Sequence, residues 1–465
     1  MSKIKIFFSF FLISSLILLS GCGCRQTDKD QYSLELEVWG FLDDRDNLNE
    51  IFEIYKSLNP NIRDIKYRKL TTDTYKTELI DALASGQGPD IFLIHNTWLP
   101  GFSDKIIPAK AEVISEQKFK SDFVDVVSSD FFSEGQAWAV PFSVDTLALY
   151  YNKDLFNAAG ITATPQNWDE FVADAMKLTK VNSFGEITQS GAAMGTAFNI
   201  NRSTDILNML IMQGGSEMVD RNSKKVTFDK LSGSGERALS PGENALSFYT
   251  QFASSSSSKY SWNPSMHYSL DAFSENNLAM MFNYSWHVET IRSKSPKLNF
   301  SVAPVPQFPN STPVNYANYW AYAVARNKEP KISSGSTVSV TNDTRVLESW
   351  KLLKFMTTKP EGNIAITNKS VGGSQVTGGN FDPAWSYLEK SRRPAARRDL
   401  VERQKDDIDL GVFSKDNLIA RSWLQPEPEN IEAILAQMID NVNRGQSRVD
   451  EAVTTAAQRI AQMMR

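Results

Sequence analysis

Between Leu34 and Ile94 the hydrophobic spacing switches repeatedly between the period of a strand and that of a helix. Leu34, Leu36 and Val38 alternate with Glu35 and Glu37, as in a strand. Leu48, Ile51, Phe52, Tyr55 and Leu58 then recur at helical spacing until Asn59-Pro60 stops them. Ile65–Leu70 reads as strand again, and Tyr75, Leu79, Ile80 and Leu83 as helix. Ile91–Ile94 is a continuous apolar run, the pattern of a strand buried on both faces. This β-α-β-α-β order restricts the chain to an α/β fold with an open, mostly parallel sheet. Ligands of such sheets bind beyond the carboxyl ends of the strands, which singles out Trp39–Asp44 and His95–Trp98.

The chain has 465 residues, enough for two sizeable cores. Its 49 basic and 54 acidic residues leave a net charge of −5, and −7 once a leader carrying Lys3 and Lys5 is removed. No basic block with interleaved aromatics occurs, which argues against a nucleic-acid partner. Lys3 and Lys5 precede an apolar run, Ile6–Leu19, of 14 residues, short of the ~20 needed to span a bilayer. The run ends in Leu19-Ser20-Gly21-Cys22, which resembles a lipoprotein box. The expectation is a signal peptide over 1–21, a lipidated (palmitate-bearing) Cys22, and a polar tether over 22–32. Cys22 and Cys24 are the only cysteines, so the mature body has no disulfide, thiolate nucleophile or cysteine metal site.

The stretch from Trp138 to Thr179 carries a denser pattern. A short strand ends at Pro141, Asp145 lies in the extended segment that follows, and Thr146–Tyr151 is a second apolar run. Thr164-Pro165 breaks the chain, Asn167 or Thr164 can cap, and Trp168, Phe171, Val172, Ala175 and Leu178 recur at helical spacing. Two strands joined through an acid-bearing segment fit a chain leaving one lobe for another. The order VPFSVDTLALYYNKDLF, AAGI, Pro165, Trp168-Asp169-Glu170-Phe171 and KLT resembles the extracellular solute-binding proteins (family 1) of ABC importers, in the sugar-binding group that includes maltose-binding protein. The strand Leu278–Asn283 leading to Trp286, and the two amphipathic tail helices parted at Arg444-Gly445, are also similar to that family.

The resemblance implies a two-lobed periplasmic-binding-protein-like fold (type II) with hinge crossings. The expected lobes are 33–142 with 303–357, and 143–302 with 358–465, and 332–343 is expected to be a surface insertion. It also implies a role for aromatics at strand ends, because a sugar ring offers a C–H face to stack on and a hydroxyl edge for polar partners. Trp286 falls where the family places a stacking aromatic, and Asp145 where it has an acid contacting sugar hydroxyls. Trp39 and Trp98 follow strands, and Asp43 and Asn96 lie in the same loops. Tyr319 and Trp320 are adjacent in one strand, so only one can face a cleft. Trp423, ahead of the penultimate helix, completes the candidates.

His95, His267 and His287 sit in separate elements, no zinc-type histidine pair exists, and no Gly-x-Ser-x-Gly elbow occurs. The reading is therefore a binding protein and not an enzyme, with neither metal nor cofactor. It captures a sugar or oligosaccharide, as a monomer lipid-anchored on the extracytoplasmic face of the cell membrane (periplasmic or outer), and hands it to ABC permease subunits. Two alternatives stay open: a lipid-anchored glycosidase, which needs only two carboxylates across a cleft, and a polysaccharide-binding adhesion protein.

Overall fold

The computed structural model describes residues 32–231, 240–332, 340–362, 364, 370–371, 374–375 and 380–464. The leader, Cys22, Cys24, most of the tether and positions 333–339 of the expected insertion lie outside the described residues. Two five-stranded sheets organise the fold. In chain order their strands are β1 (Leu34–Gly40), β2 (Ile62–Lys69), β3 (Ile91–His95), β4 (Ala148–Asn152), β5 (Lys180–Val181), β6 (Ile187–Ala192), β7 (Leu278–Asn283), β8 (Phe300–Ala303), β9 (Trp320–Val324) and β10 (Lys331–Ile332). The helices that matter below are α1 (Arg45–Leu58), α2 (Thr72–Ala84), α3 (Trp168–Leu178), α4 (Ser203–Gln213), α5 (His287–Lys294), α6 (Asn342–Thr357), α7 (Pro383–Ser391), α8 (Pro428–Asn443) and α9 (Val449–Met463).

In the first sheet β1 runs parallel to β2 and β3, with Leu36 opposite Ile65 and Val38 opposite Ile91. β9 joins β3 antiparallel, Trp320 opposite His95, and β10 pairs with the start of β1. The second sheet has the order β8-β4-β7-β6-β5. Only β6 and β7 are parallel there, so the expected mostly parallel pattern holds for β1 with β2 and β3 in the first sheet and not for the second. The cause is the route of the chain. β4 carries it outward from the first lobe, and its neighbours β7 and β8 both bring it back.

Side-chain packing separates two cores, and it moves the expected boundaries. Ala303, Val305, Val314 and Tyr316 belong to the second core, because they continue from β8 while it is still paired in the second sheet. Ala384, Tyr387, Leu388, Leu400 and Val401 belong to the first core, although 358–465 was expected in the second lobe. Tyr387 of α7 stacks on Phe142 at 4.1 Å and 18°, and the Arg397 guanidinium donates to the Thr358 carbonyl and to Asp382. These contacts return α7 to the first lobe. The tail helices α8 and α9 pack in the second core.

The crossings lace together at single bridges: Val140 with Tyr322, Ser143 with Ala395, Thr146 with Ala317, and Asn315-Tyr316 beside Ala420-Arg421. Helix starts follow the local chemistry of the sequence. Asn167, one of the two candidate caps, accepts from the Glu170 amide at the start of α3, which buries Trp168, Phe171, Ala175 and Leu178. Asp90 anchors the other end of the first sheet. Its carboxylate, 0% exposed, accepts from the Glu37 amide at 2.7 Å, Lys328 Nζ at 3.1 Å and Arg345 Nη1 at 3.3 Å. Arg345, near the start of α6, also donates to the Ala325 carbonyl just past β9.

Candidate functional site

A cleft of about 510 Å³ opens between the lobes at the carboxyl end of β3. Its first-lobe wall is aromatic. Trp98 stacks on Phe102 at 5.3 Å and 11°, and meets Trp320 edge-on at 4.9 Å and 81°. Phe41, just past β1, packs edge-on against Trp320 at 4.6 Å. From the second lobe comes Trp286, the residue before α5, which stacks on Tyr284 at 4.6 Å and 17°. Tyr284 is fixed from both ends, donating its hydroxyl to Asp205 at 2.8 Å and accepting at its carbonyl from Tyr150 at 2.6 Å. Trp286 is 38% exposed and lines the cleft, so part of its ring is accessible there.

The polar complement comes from residues far apart in sequence. Arg202 precedes α4 in the left-handed conformation (φ 62°), which turns the chain from the loop after β6 into the helix. Its guanidinium carbon lies 5.6 Å from the Trp286 ring and 5.8 Å from Tyr284. Among the described residues its Nε is buried without a hydrogen-bond partner. Asp205, in the first turn of α4, has its carboxyl pushed up by burial, a shift opposed by Arg202 and the Tyr284 hydroxyl. His95 is pushed down to about 4 by burial and is neutral at pH 7. Its ring nitrogens engage Thr97 Oγ1 at 2.7 Å and Asn318 Oδ1 at 3.1 Å. Arg393 reaches the cleft from the segment after α7, with Asp43 Oδ1 4.0 Å from its Nη2. Glu432 on α8 is pushed up by burial and by nearby Asp205. One turn earlier, Glu429 meets Lys76 of α2 at 2.6 Å and so spans the lobes. Such a half-exposed pair is worth about 0–1 kcal/mol, too little to hold the lobes together by itself.

Of the sequence candidates, Trp286, Trp98 and Trp320 line this cleft. Tyr319 does not: strand alternation sends it to the opposite face, where its hydroxyl donates to Asp130 at 2.9 Å. Trp39 is buried in the first core, its Nε1 donating to Glu37 and Arg68 lying 4.5 Å over its ring; Phe41 stands at the cleft in its place. Asp43 is covered by α7 and accepts from the Tyr387 hydroxyl at 3.0 Å. Asn96 and Trp423 line a neighbouring cavity instead of the cleft. Asp145 is buried behind Trp286, accepting from the Thr146 amide and from the amide and hydroxyl of Ser285. It ties the outgoing crossing to the turn that presents Trp286, and is a positioning residue in place of the expected ligand contact.

Arg202, Asp205, Asn318, Arg393 and Glu432 line the cleft and were not among the candidates. The one local signal was Asn199–Asn201 followed by Ser203-Thr204-Asp205, a turn opening a helix with an acid in its first turn. Nothing local marks Arg393, which the return of α7 to the first lobe brings in.

Two buried hinge acids make a pH prediction. Burial pushes Asp145 and Asp416 up to about 7 from the ordinary 3.8, although both accept hydrogen bonds. Between these values the folded chain holds protons that the unfolded chain has released. Stability therefore falls as pH rises from about 4 to about 7, and this contribution is flat above that. Asp416→Asn, which keeps an acceptor for Asn315 Nδ2, is expected to flatten part of that decline in thermal melts. Parallel wild-type and variant profiles would remove Asp416 as a source.

Comparison with known proteins adds to this geometry. The family model described as bacterial extracellular solute-binding protein matches residues 43–362. A putative binding protein of Brucella abortus (strain 2308) is 31% identical over 137 residues, covering 28% of this chain and 31% of that protein. An arabinooligosaccharide-binding protein of Halalkalibacterium halodurans is 26% identical over 207 residues, 42% of each chain. The first of these matches spans about a third of the relative's length. In structure, the cyclic alpha-maltosyl-1,6-maltose binding protein of Arthrobacter globiformis superposes with a TM-score of 0.71 at 17% identity, over 93% of this chain and 99% of that one. That likeness bears on the fold: an α/β protein of two lobes with open sheets.

Proposed function

The chain belongs to the bacterial extracellular solute-binding proteins, and we propose that it is the saccharide-capturing component of an ABC importer. The observation that carries this reading is one cleft lined by Trp98 and Trp320 from the first lobe and Trp286 from the second. Stacked indoles suit the C–H faces of a pyranose. Arg202, Asp205, Asn318 and Glu432 offer charged and amide partners to the hydroxyls between them. The names of the Halalkalibacterium and Arthrobacter relatives support a saccharide as the cargo.

A ligand touching both walls stabilises the closed arrangement of the lobes by its differential affinity for it. The loaded form then docks on the permease subunits of the importer, and the sugar is released unchanged. In this reading Cys22 carries the lipid that holds the monomer at the extracytoplasmic face of the membrane. Among the described residues no helix is long and apolar enough to cross a membrane.

The test is a panel of mono- and oligosaccharides, followed by thermal melting and tryptophan fluorescence, with product analysis after long incubation. At least one saccharide is expected to raise the melting temperature and shift the fluorescence without being consumed. Release of shorter saccharides would put a glycosidase in place of the binding protein. Silence across the panel would overturn the saccharide assignment.

A further inference from the structure

Two arginines reach the interlobe cleft from opposite sides, Arg202 at the start of α4 and Arg393 in the segment after α7. The protein itself fills little of either guanidinium. Among the described residues no hydrogen bond engages Arg202, which lies 5.6 Å from the Trp286 ring and 5.8 Å from Tyr284. Arg393 makes one hydrogen bond, from Nη2 to the Leu42 carbonyl at 3.5 Å, and its side chain is 25% exposed. The Nε of each is buried, so the donors a ligand can reach are those of the Nη groups. Both cations lie near one stacking ring: Arg393 acts on the buried Asp145, whose oxygens hold Ser285, the residue before Trp286. The nearby carboxylates are engaged elsewhere. Asp205 accepts from the Tyr284 hydroxyl, Glu429 pairs with Lys76, and Asp43, 4.0 Å from Arg393, accepts from Tyr387 at both oxygens. Burial also pushes Asp205 and Glu432 toward the uncharged form, whereas arginine keeps its charge.

We propose that the cargo is an anionic saccharide, its carboxylate or phosphate held by the Nη groups of Arg202 and Arg393 while its ring stacks on Trp286. The inference rests on the saccharide reading and narrows it. A neutral hydroxyl accepts one N–H bond and leaves the guanidinium charge uncompensated as the cleft closes. A carboxylate or phosphate accepts two parallel N–H bonds from one fork and neutralises it. Because the two arginines belong to different lobes, an anion between them is also a contact that favours the closed arrangement.

The experiment titrates the purified chain with matched sugars: glucose, glucuronate and glucose phosphate; galactose, galacturonate and galactose phosphate; and trigalacturonate beside maltotriose. The charged members are expected to bind about tenfold more tightly than their neutral partners, the margin of a charge-assisted over a neutral hydrogen bond. That margin is expected to shrink as NaCl is raised, a readout on the wild type that needs no variant. It is also expected to shrink in Arg202→Gln and Arg393→Gln, with melting curves confirming that each has folded. Arg393→Lys, which keeps the charge and loses the fork, should fall between. A preference for the carboxylated or for the phosphorylated members identifies the anion. Neutral sugars bound as tightly as charged ones, or a preference that survives both glutamine variants, would overturn the anionic assignment and leave saccharide capture standing. No binding in any arm overturns both.

Discussion

Replacing Trp286 with alanine is expected to weaken saccharide binding by about 30-fold. That corresponds to roughly 2 kcal/mol, the scale at which a single buried aromatic dominates an interface. The size follows from how the ring is held. Tyr284 stacks under it at 4.6 Å, and Asp205 accepts from the Tyr284 hydroxyl and so keeps that platform from turning. The Arg202 guanidinium lies 5.6 Å from the same ring, so a sugar that stacks on Trp286 also comes within reach of a charged donor. Alanine removes the stacking face and loosens the contact that orients Arg202. The fold is expected to survive, because Trp286 is half-exposed and outside both cores. Titration of the variant beside its melting curve separates the two effects. Wild-type affinity in Trp286→Ala would remove the residue from the site, and Trp286→Phe is expected to retain most of the binding.

The largest effect on stability is expected at Asp90. Its carboxylate is the shared partner of Lys328 and Arg345, and Arg345 is fully buried. Removing one member of a buried ionic cluster leaves the others uncompensated, at a cost of about 3–5 kcal/mol. Asp90→Ala also deprives the Glu37 amide of its acceptor and so disturbs β1 as well as the approach to β3. The first lobe should melt at markedly lower temperature or urea concentration. Asp90→Asn, which keeps an acceptor oxygen, should fall between alanine and the wild type. Ligand binding would follow the same order, because β3 delivers His95 and Trp98 to the cleft. An unshifted midpoint in Asp90→Ala would contradict the account of this cluster.

Residues whose role is set by local period were legible in the sequence. The alternation of Leu34, Leu36 and Val38 and the apolar run Ile91–Ile94 became β1 and β3. The same period explains why Trp320 faces the cleft while Tyr319 turns away. Trp98 and Trp286 were legible as cleft-lining residues because each follows the end of a strand, where such sheets open on a crevice. Residues whose role is set by distant packing were not legible. Asp43 lies in a loop that reads as solvated until α7, more than three hundred residues on, covers it with Tyr387. Asp145 looks like a ligand acid until Ser285 is seen to take its oxygens. Arg393 enters the cleft only because 383–401 packs with the first lobe, a return that no periodicity announces. Arg202 and Arg393 meet at the cleft from segments far apart in the sequence, so no local run of charge marks them.

The central claim is that a saccharide sits between the lobes and joins their aromatic walls. A crystal structure of the protein with an oligosaccharide that stabilises it tests this most directly. The account predicts intact sugar in the interlobe cleft, one ring stacked on Trp286, Trp98 and Trp320 lining the opposite side, and Arg202 donating to its oxygens. Sugar bound outside the cleft, or cleaved within it, would contradict the account.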